Sequence, residues 1–229
     1  MMRADHYDSS ASSVLRAMAR RGLLQPVNYQ RERRDLARAR REAFIEAPTR
    51  RNRVWQTDFS EFETSGGGTW RMSGVCDYVA KIALSCRTSM TQTAADAIAS
   101  LEEARDRAAA LLHHPLIEDL VDHDTGELTP IILVSDNGPA YKATGFDRYI
   151  ASRPELRHVR TRKRSPHTNG VVERFFGSVK YEHLYREEIE DGVAFDAEVR
   201  YFLDVFNRIR PHEELAFERP LEVYLRSPA

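Results

Sequence analysis

The spacing of apolar and polar positions changes several times along this chain, and each change marks an element. Val54 to Phe62 alternates with period two, which predicts a strand carrying Trp55, Thr57 and Phe59 on one face and Gln56 and Asp58 on the other. Gly66-Gly67-Gly68 then reads as a hairpin turn, because no helix follows it to make a phosphate cradle. Trp70–Val79 and Lys81–Arg87 predict two further strands. Thr93 and Asp96 have the spacing of a capping box, opening a helix that runs to Leu112 with Ile98, Leu101, Ala108 and Leu111 on its buried side. Ile131–Val134 is continuously apolar, as a central strand covered on both faces should be. A helix near Phe146–Ala151 and a strand at Leu156–Thr161 follow. Next comes a helix capped by Thr168 or Asn169 that passes through Glu173 to about Leu184, and then an amphipathic helix at Val199–Asn207.

The order β-β-β-α-β-α-β-α predicts an antiparallel meander continued by crossover strands: an α/β, RNase H-like mixed five-stranded sheet with flanking helices. In that topology the first and fourth strands are neighbours. Asp58 on one and Asp136 at the end of the other converge, and Glu173 arrives from a helix packed nearby.

Composition adds limits. The chain is long enough for one well-buried core and a short appendage. No apolar run approaches the roughly 20 residues of a membrane span, and the N-terminus lacks the apolar stretch of a signal peptide. Cys76 and Cys86 lack metal-ligand spacing and read as two buried thiols of a reducing cytosol rather than a disulfide. His113, His114, Asp122, His123 and Asp124 lie among Pro115, Gly126 and Pro130, which favours a solvated surface excursion over a metal site.

The net charge of −1 hides a strong asymmetry. Residues 1–53 carry a net +7, residues 157–180 a net +6, and residues 181–229 a net −6. Such segregation suits a molecule that binds a polyanion on one side. Upstream, Val14–Leu24 reads as a short helix, while Gln30–Phe44 is helix-compatible but nearly without an apolar face. The latter segment, with Arg33, Arg34, Arg38, Arg40 and Arg41, is either a solvated helical linker or an arm contacting nucleic acid.

Three acidic residues stand out by setting: Asp58 in Trp55-Gln56-Thr57-Asp58-Phe59, Asp136 before the sharp turn Asn137-Gly138-Pro139, and Glu173 in the run Ser165–Arg174. Hard carboxylate oxygens bind Mg²⁺ or Mn²⁺, and two such ions about 3.5–4 Å apart clamp the attacking and leaving oxygens of a phosphodiester. Arg160, Arg162, Lys163 and Arg164 lie just before the helix of Glu173 and are placed to grip phosphates.

These motifs resemble the DDE catalytic core of bacterial insertion-sequence transposases, relatives of retroviral integrases. The resemblance covers about residues 53 to 225, including Thr168-Asn169-Gly170 before Glu173-Arg174, Phe206–His212 and Arg219–Tyr224. It implies Asp58, Asp136 and Glu173 as catalytic residues and metal ligands, with Asp58 bridging two Mg²⁺ (or Mn²⁺) ions once DNA is bound and the other two each holding one. It also implies a DNA contact at Lys180, seven residues after Glu173. With Arg160, Arg162, Lys163, Arg164 and Asn169 this forms the expected DNA-binding set. Arg174 is either a further phosphate contact or an ordinary exposed arginine.

The implied reaction is metal-dependent cleavage and strand transfer at the ends of a DNA element, by a homo-oligomer on double-stranded DNA in the bacterial cytoplasm, associated with the nucleoid. The expected division is residues 1–52 as a basic helical arm, a stub of a helix-turn-helix region; residues 53–185 as the catalytic core; and residues 186–229 as a helical extension. There are departures. The gap between Asp136 and Glu173 is one residue longer than is usual for the family, which an insertion around Ser152–Arg157 would absorb. The zinc-binding His/Cys region of retroviral integrases is missing, and the short stub suggests a fragment or one product of a split reading frame. The rivals are an RNase H-fold nuclease without strand transfer and a domesticated DNA-binding regulator. Three intact carboxylates argue against the latter, because clustered like charges are costly without a use.

Overall fold

Five strands pair in the order β3-β2-β1-β4-β5: β1 (Val54–Glu63), β2 (Thr69–Asp77), β3 (Ala83–Ser89), β4 (Ile131–Ser135) and β5 (Leu156–Arg160). The computed structural model describes residues 10–21, 48–122, 124–161 and 169–226. The chain divides into two compact units, residues 1–39 and residues 40–229.

In the first unit, α1 (Ala11–Arg20) begins three residues before the expected Val14. Ser10 supplies the reason, its side chain accepting from the backbone N–H of Ser13. The Gln30–Phe44 segment lies outside the described residues.

In the second unit β1, β2 and β3 form an antiparallel meander, and β1 pairs with β4, and β4 with β5, in parallel. The first and fourth strands are therefore neighbours, as the topology predicts. Between β1 and β2 the glycine triplet makes a tight turn closed by bonds between Thr64 and Gly68 and between Gly67 and Thr64. Gly67 and Gly68 have φ of 94° and 99°, a region closed to most side chains.

Alternation along the strands sends side chains to two apolar layers. One gathers Trp55, Ile82, Leu84, Leu133, Tyr141 and Phe146 under α2 (Ala94–Leu112) and α3 (Thr144–Ala151). The Thr93–Asp96 capping box starts α2, and Ala97, Leu101, Ala104 and Ala108 are its fully buried apolar positions; Ile98 and Leu111 pack only partly. The other layer joins Phe62, Met72 and Cys76 to α4 (Gly170–Ser178) and α5 (Gly192–Arg208). Val172, Phe175, Phe176 and Val179, at the helical spacing i, i+3, i+4, i+7, are all buried there. Each such aromatic contributes about 2–3 kcal/mol of burial, which fixes α4 firmly to the sheet. Cys76 and Cys86 are buried free thiols, with burial pushing both well up.

Four expectations change. The helix at Val199–Asn207 starts earlier, at Gly192, because Asp191 accepts from the N–H groups of Val193 and Ala194. The helix through Glu173 is α-helical only to Ser178, then widens into a π turn over Val179–His183 and a 3₁₀ turn over Leu184–Arg186. The supposed surface excursion at 113–130 contains a 3₁₀ turn, Leu116–Asp119, in which Leu116 and Asp119 are buried, as is Leu120 just after it. Asp119 tolerates burial because Arg51 and the side chain of Asn52 both donate to it. Finally, Arg51 and Asn52, just ahead of the expected core boundary, are part of the core. Asn52 also accepts from Trp55 and from Tyr224 of α6 (Pro220–Arg226), so the end of the described chain is pinned to the start of β1.

Candidate active site

The register of two strands brings two of the carboxylates level. The last positions paired between β1 and β4 are Gln56 and Val134; two residues beyond each lie Asp58 and Asp136. Asp136 leaves the sheet in a tight turn, its Oδ1 accepting from Gly138 N–H at 2.7 Å. A Cβ at residue 138 would lie 2.8 Å from that oxygen, so glycine is what allows the carboxylate to be held here. Asn137 donates to the Thr161 carbonyl at 2.8 Å, fixing the turn to the end of β5.

Asp58 is held from two sides. Its Oδ1 accepts from Phe59 N–H at 2.8 Å and its Oδ2 from the Asn169 side chain at 3.1 Å. Asn169 was an expected helix cap or DNA contact; its side chain makes no cap bond, and instead ties the start of α4 to Asp58. The capping is done by Gln56, fully buried on β1, whose Oε1 accepts from Val171 and Val172 N–H at 2.8 and 3.3 Å. Glu173 follows directly, exposed at the edge of the buried face of α4. Gln56 escaped the motif reading, although one sign was legible: it shares a face with Asp58 on a strand otherwise rich in apolar residues.

Burial, and then the charges of Asp136 and Glu173, push the Asp58 carboxyl up to about 7, against the pull of its hydrogen bonds from Phe59 and Asn169. The three acids thus share one electrostatic environment. They are not gathered into a cage: among the described residues no group of three acidic, histidine or cysteine side chains is close enough to hold a metal ion. The donor chemistry nevertheless fits a hard divalent cation. Three carboxylates repel one another, and the buried Oδ1 of Asn169 has no hydrogen-bond partner.

The expected DNA contacts are distributed around this centre. Arg160 ends β5 opposite Ser135, in register beside Asp136. Lys180 is half-buried in the π turn, where the α-helical spacing from Glu173 no longer holds. Burial lowers its pKa, and Glu61 opposes that shift. Arg174 is paired with Glu214. Arg162, Lys163 and Arg164 lie outside the described residues.

A mixed sheet in this order, with one acid midway along its first strand, another just past its fourth and a third on a later helix, is the architecture of RNase H-like catalytic cores. Residues 155–220 match the family described as Integrase core domain. Over 101 residues the chain is 30% identical to a putative transposase InsD for insertion element IS2E of Escherichia coli, covering 44% of this chain and 45% of that protein. The same identity links it to transposase InsD of IS2A/D/F/H/I/K from Escherichia coli, of which it covers 33%. The match thus spans less than half the length of either relative.

Among solved structures, the catalytic core of HTLV-2 integrase in complex with magnesium superposes with a TM-score of 0.53 at 18% identity, over 76% of this chain and 96% of that one. The catalytic domain of Mos1 mariner transposase gives 0.52 at 16% identity, over 83% and 79%. Neighbours of this fold have been solved with magnesium or manganese, consistent with the donor chemistry above. The chain thus has the fold of these catalytic cores, and residues 155–220 are similar to the Integrase core domain family.

Proposed function

We propose that this chain cuts DNA at the ends of a mobile element and joins the freed 3′-hydroxyl to a phosphodiester of target DNA, with Asp58, Asp136 and Glu173 as the catalytic carboxylates. The observation that carries this is the level placement of Asp58 and Asp136 on adjacent parallel strands, with Asn169 and Gln56 fixing the helix of Glu173 to the same strand. Two divalent ions, when bound with DNA, would supply charge neutralisation at the reacting phosphate. Asp58, Asp136 and Glu173 would hold them. The chain's own residues do the rest: Gln56 and the apolar face of α4 hold Glu173 at one edge, Asn169 orients Asp58, and Arg160 is placed to bind phosphate beside Asp136. Arg162, Lys163, Arg164 and Lys180 are assigned to DNA binding on the same reading. Within residues 40–229 we assign 53–185 to catalysis and 186–229 to a helical extension that closes over the sheet. Arg51 and Asn52 go with the core, the residues ahead of them are assigned as the basic arm, and the active species is a homo-oligomer on DNA.

No helix among the described residues is long and apolar enough to cross a membrane. We assign the chain to the cytoplasm, in line with its bacterial transposase relatives, and to the nucleoid as part of the same proposal. The test is substitution without change of shape. Asp58→Asn, Asp136→Asn and Glu173→Gln should each abolish cleavage and joining of an element-end oligonucleotide while leaving the fold intact by circular dichroism. A variant that retains near-wild-type joining in Mg²⁺ removes that residue from the site.

A further inference from the structure

Behind the start of α4, on the side of Gln56 and Tyr78, lies a cleft of about 200 Å³ that the catalytic assignment leaves unused. Its charged lining comes from three separate parts of the chain: Lys81 from the β2–β3 turn, Arg174 from α4, and His212 with Glu214 from the segment after α5. Lys81 meets Glu214 Oε2 at 3.1 Å while Arg174 pairs with the other oxygen. Lys81 also stands over the Tyr78 ring, 4.5 Å from its centre. The His212 ring is edge-on to Phe206; the residue is 5% exposed, and its buried Nδ1 has no hydrogen-bond partner. Among the described residues lining the cleft, Glu214 is the single acid, and two cations and a buried imidazole surround it.

Glu214 is delivered by a turn under strain. His212 N–H donates to the Glu218 carbonyl and the His212 carbonyl accepts from Phe217 N–H, closing a loop in which Ala216 and Phe217 have φ of 53° and 65°. Two consecutive left-handed residues that are not glycine are strained. Phe217 is exposed and recovers little of this by packing. Release of Glu214 from the cleft is opposed by its two ion pairs. Both ion pairs have a partly exposed member, which limits their strength.

We infer that the Lys81–Arg174–His212 cleft is a phosphodiester-binding subsite, in which the Glu214 carboxylate stands in for a DNA backbone phosphate and exchanges with it on binding. The inference rests on the DNA-processing function proposed above. A phosphate has the same sign as the carboxylate and more acceptor oxygens, so it can take both cations. The imidazole Nδ1, in its protonated tautomer, can donate to the same anion. Because Arg174 follows Glu173 and Gly170 and Val171 also line the cleft, a phosphate held here anchors the nucleic acid to the same short helix that carries the third carboxylate.

The experiment compares wild type, Glu214→Gln, Glu214→Ala and the double variant Lys81→Gln/Glu214→Gln, each checked for an unchanged fold. Duplex oligonucleotide binding is titrated over salt, and the His212 imidazole ¹⁵N shifts are followed with inorganic phosphate. Removing the carboxylate should tighten duplex binding several-fold and steepen the slope of log K against log salt by about 0.9, the value of one added phosphate contact. The double variant should lose both gains, and inorganic phosphate should move the His212 signal in Glu214→Gln more than in wild type. Unchanged affinity and slope in both single variants, or a gain that survives the loss of Lys81, would overturn the subsite while leaving DNA binding by wild type intact. If instead no form binds duplex but phosphate still shifts His212, the anion subsite stands and the proposed DNA function falls.

Discussion

Replacing Gln56 by methionine, which keeps length and burial but removes the acceptor oxygen, should loosen the helix that carries Glu173. The Val171 and Val172 N–H groups sit in the first turn of α4, where no intrahelical carbonyl is available, and the Asn169 side chain does not cap them. Both donate to Gln56 Oε1, at 2.8 and 3.3 Å, and Gln56 is fully buried. A buried donor left without a partner costs about 1–3 kcal/mol, with the shorter bond at the upper end. The two together suggest about 2–4 kcal/mol. At roughly 2–4 °C per kcal/mol for a domain of this size, the melting temperature should fall on the order of 5–12 °C.

Local opening should show more directly in amide exchange. A 2 kcal/mol loss corresponds to about a 30-fold decrease in protection at Val171 and Val172. Single-turnover cleavage should fall alongside, since Glu173 shares that first turn. Gln56→Glu, which retains an acceptor oxygen, should keep most of the protection. If exchange at the two amides and the cleavage rate are both unchanged in Gln56→Met, then α4 is held by its apolar face alone and Gln56 is not a positioning residue.

His158 gives a pH-dependent prediction. Burial, and secondarily the charge of Arg160, lower its pKa from 6.5 to about 4 in the fold, and its Nε2 bonds to the Ser135 hydroxyl. The unfolded chain therefore binds the extra proton first as pH falls, so stability present above pH 6.5 is lost progressively toward pH 4, by about 3 kcal/mol. Asp58 and Asp77, raised to about 7 and about 6 chiefly by burial, work in the opposite sense, each gaining stability as pH falls. His158→Phe retains all other groups, so its melting curves should lack the His158 share of the loss between pH 6.5 and 4.5; a loss equal to that of wild type would refute the assignment. Asp119→Ala should destabilise by about 3–5 kcal/mol, because it leaves Arg51 and Asn52 without their buried partner. Chemical denaturation measures this, and a change under 1 kcal/mol would mean the network is not structural.

Local pattern made the sheet and two of the three acids legible. Alternation set Asp58 apart from Trp55 and Phe59, and the Asn137-Gly138 turn announced the end of a buried strand at Asp136. What lay beyond reach were contacts between residues far apart in sequence. Gln56 caps a helix 115 residues away, and Asn169 meets Asp58 across 111. Asp119 sits among prolines, histidines and other acids that mark a surface segment, and Arg51 and Asn52, from the supposed arm, make its burial tolerable. Glu214 looks like one more charge in an acidic tail until the fold sets it between Lys81 and Arg174. The π turn at Val179–His183 has no signature in spacing, and it breaks the α-helical run between Glu173 and Lys180.

The most direct test of the central claim follows the fate of a labelled 3′-hydroxyl. A pre-cut duplex ending in the element's terminal sequence is incubated with the protein, target plasmid and Mg²⁺ or Mn²⁺, and joined product is separated from hydrolysed product. A DNA strand transferase yields covalently joined product with wild type and none with Glu173→Gln of equal thermal stability. Nicked or hydrolysed DNA without any joined product, across both metals, would contradict the account and leave a nuclease on the same fold.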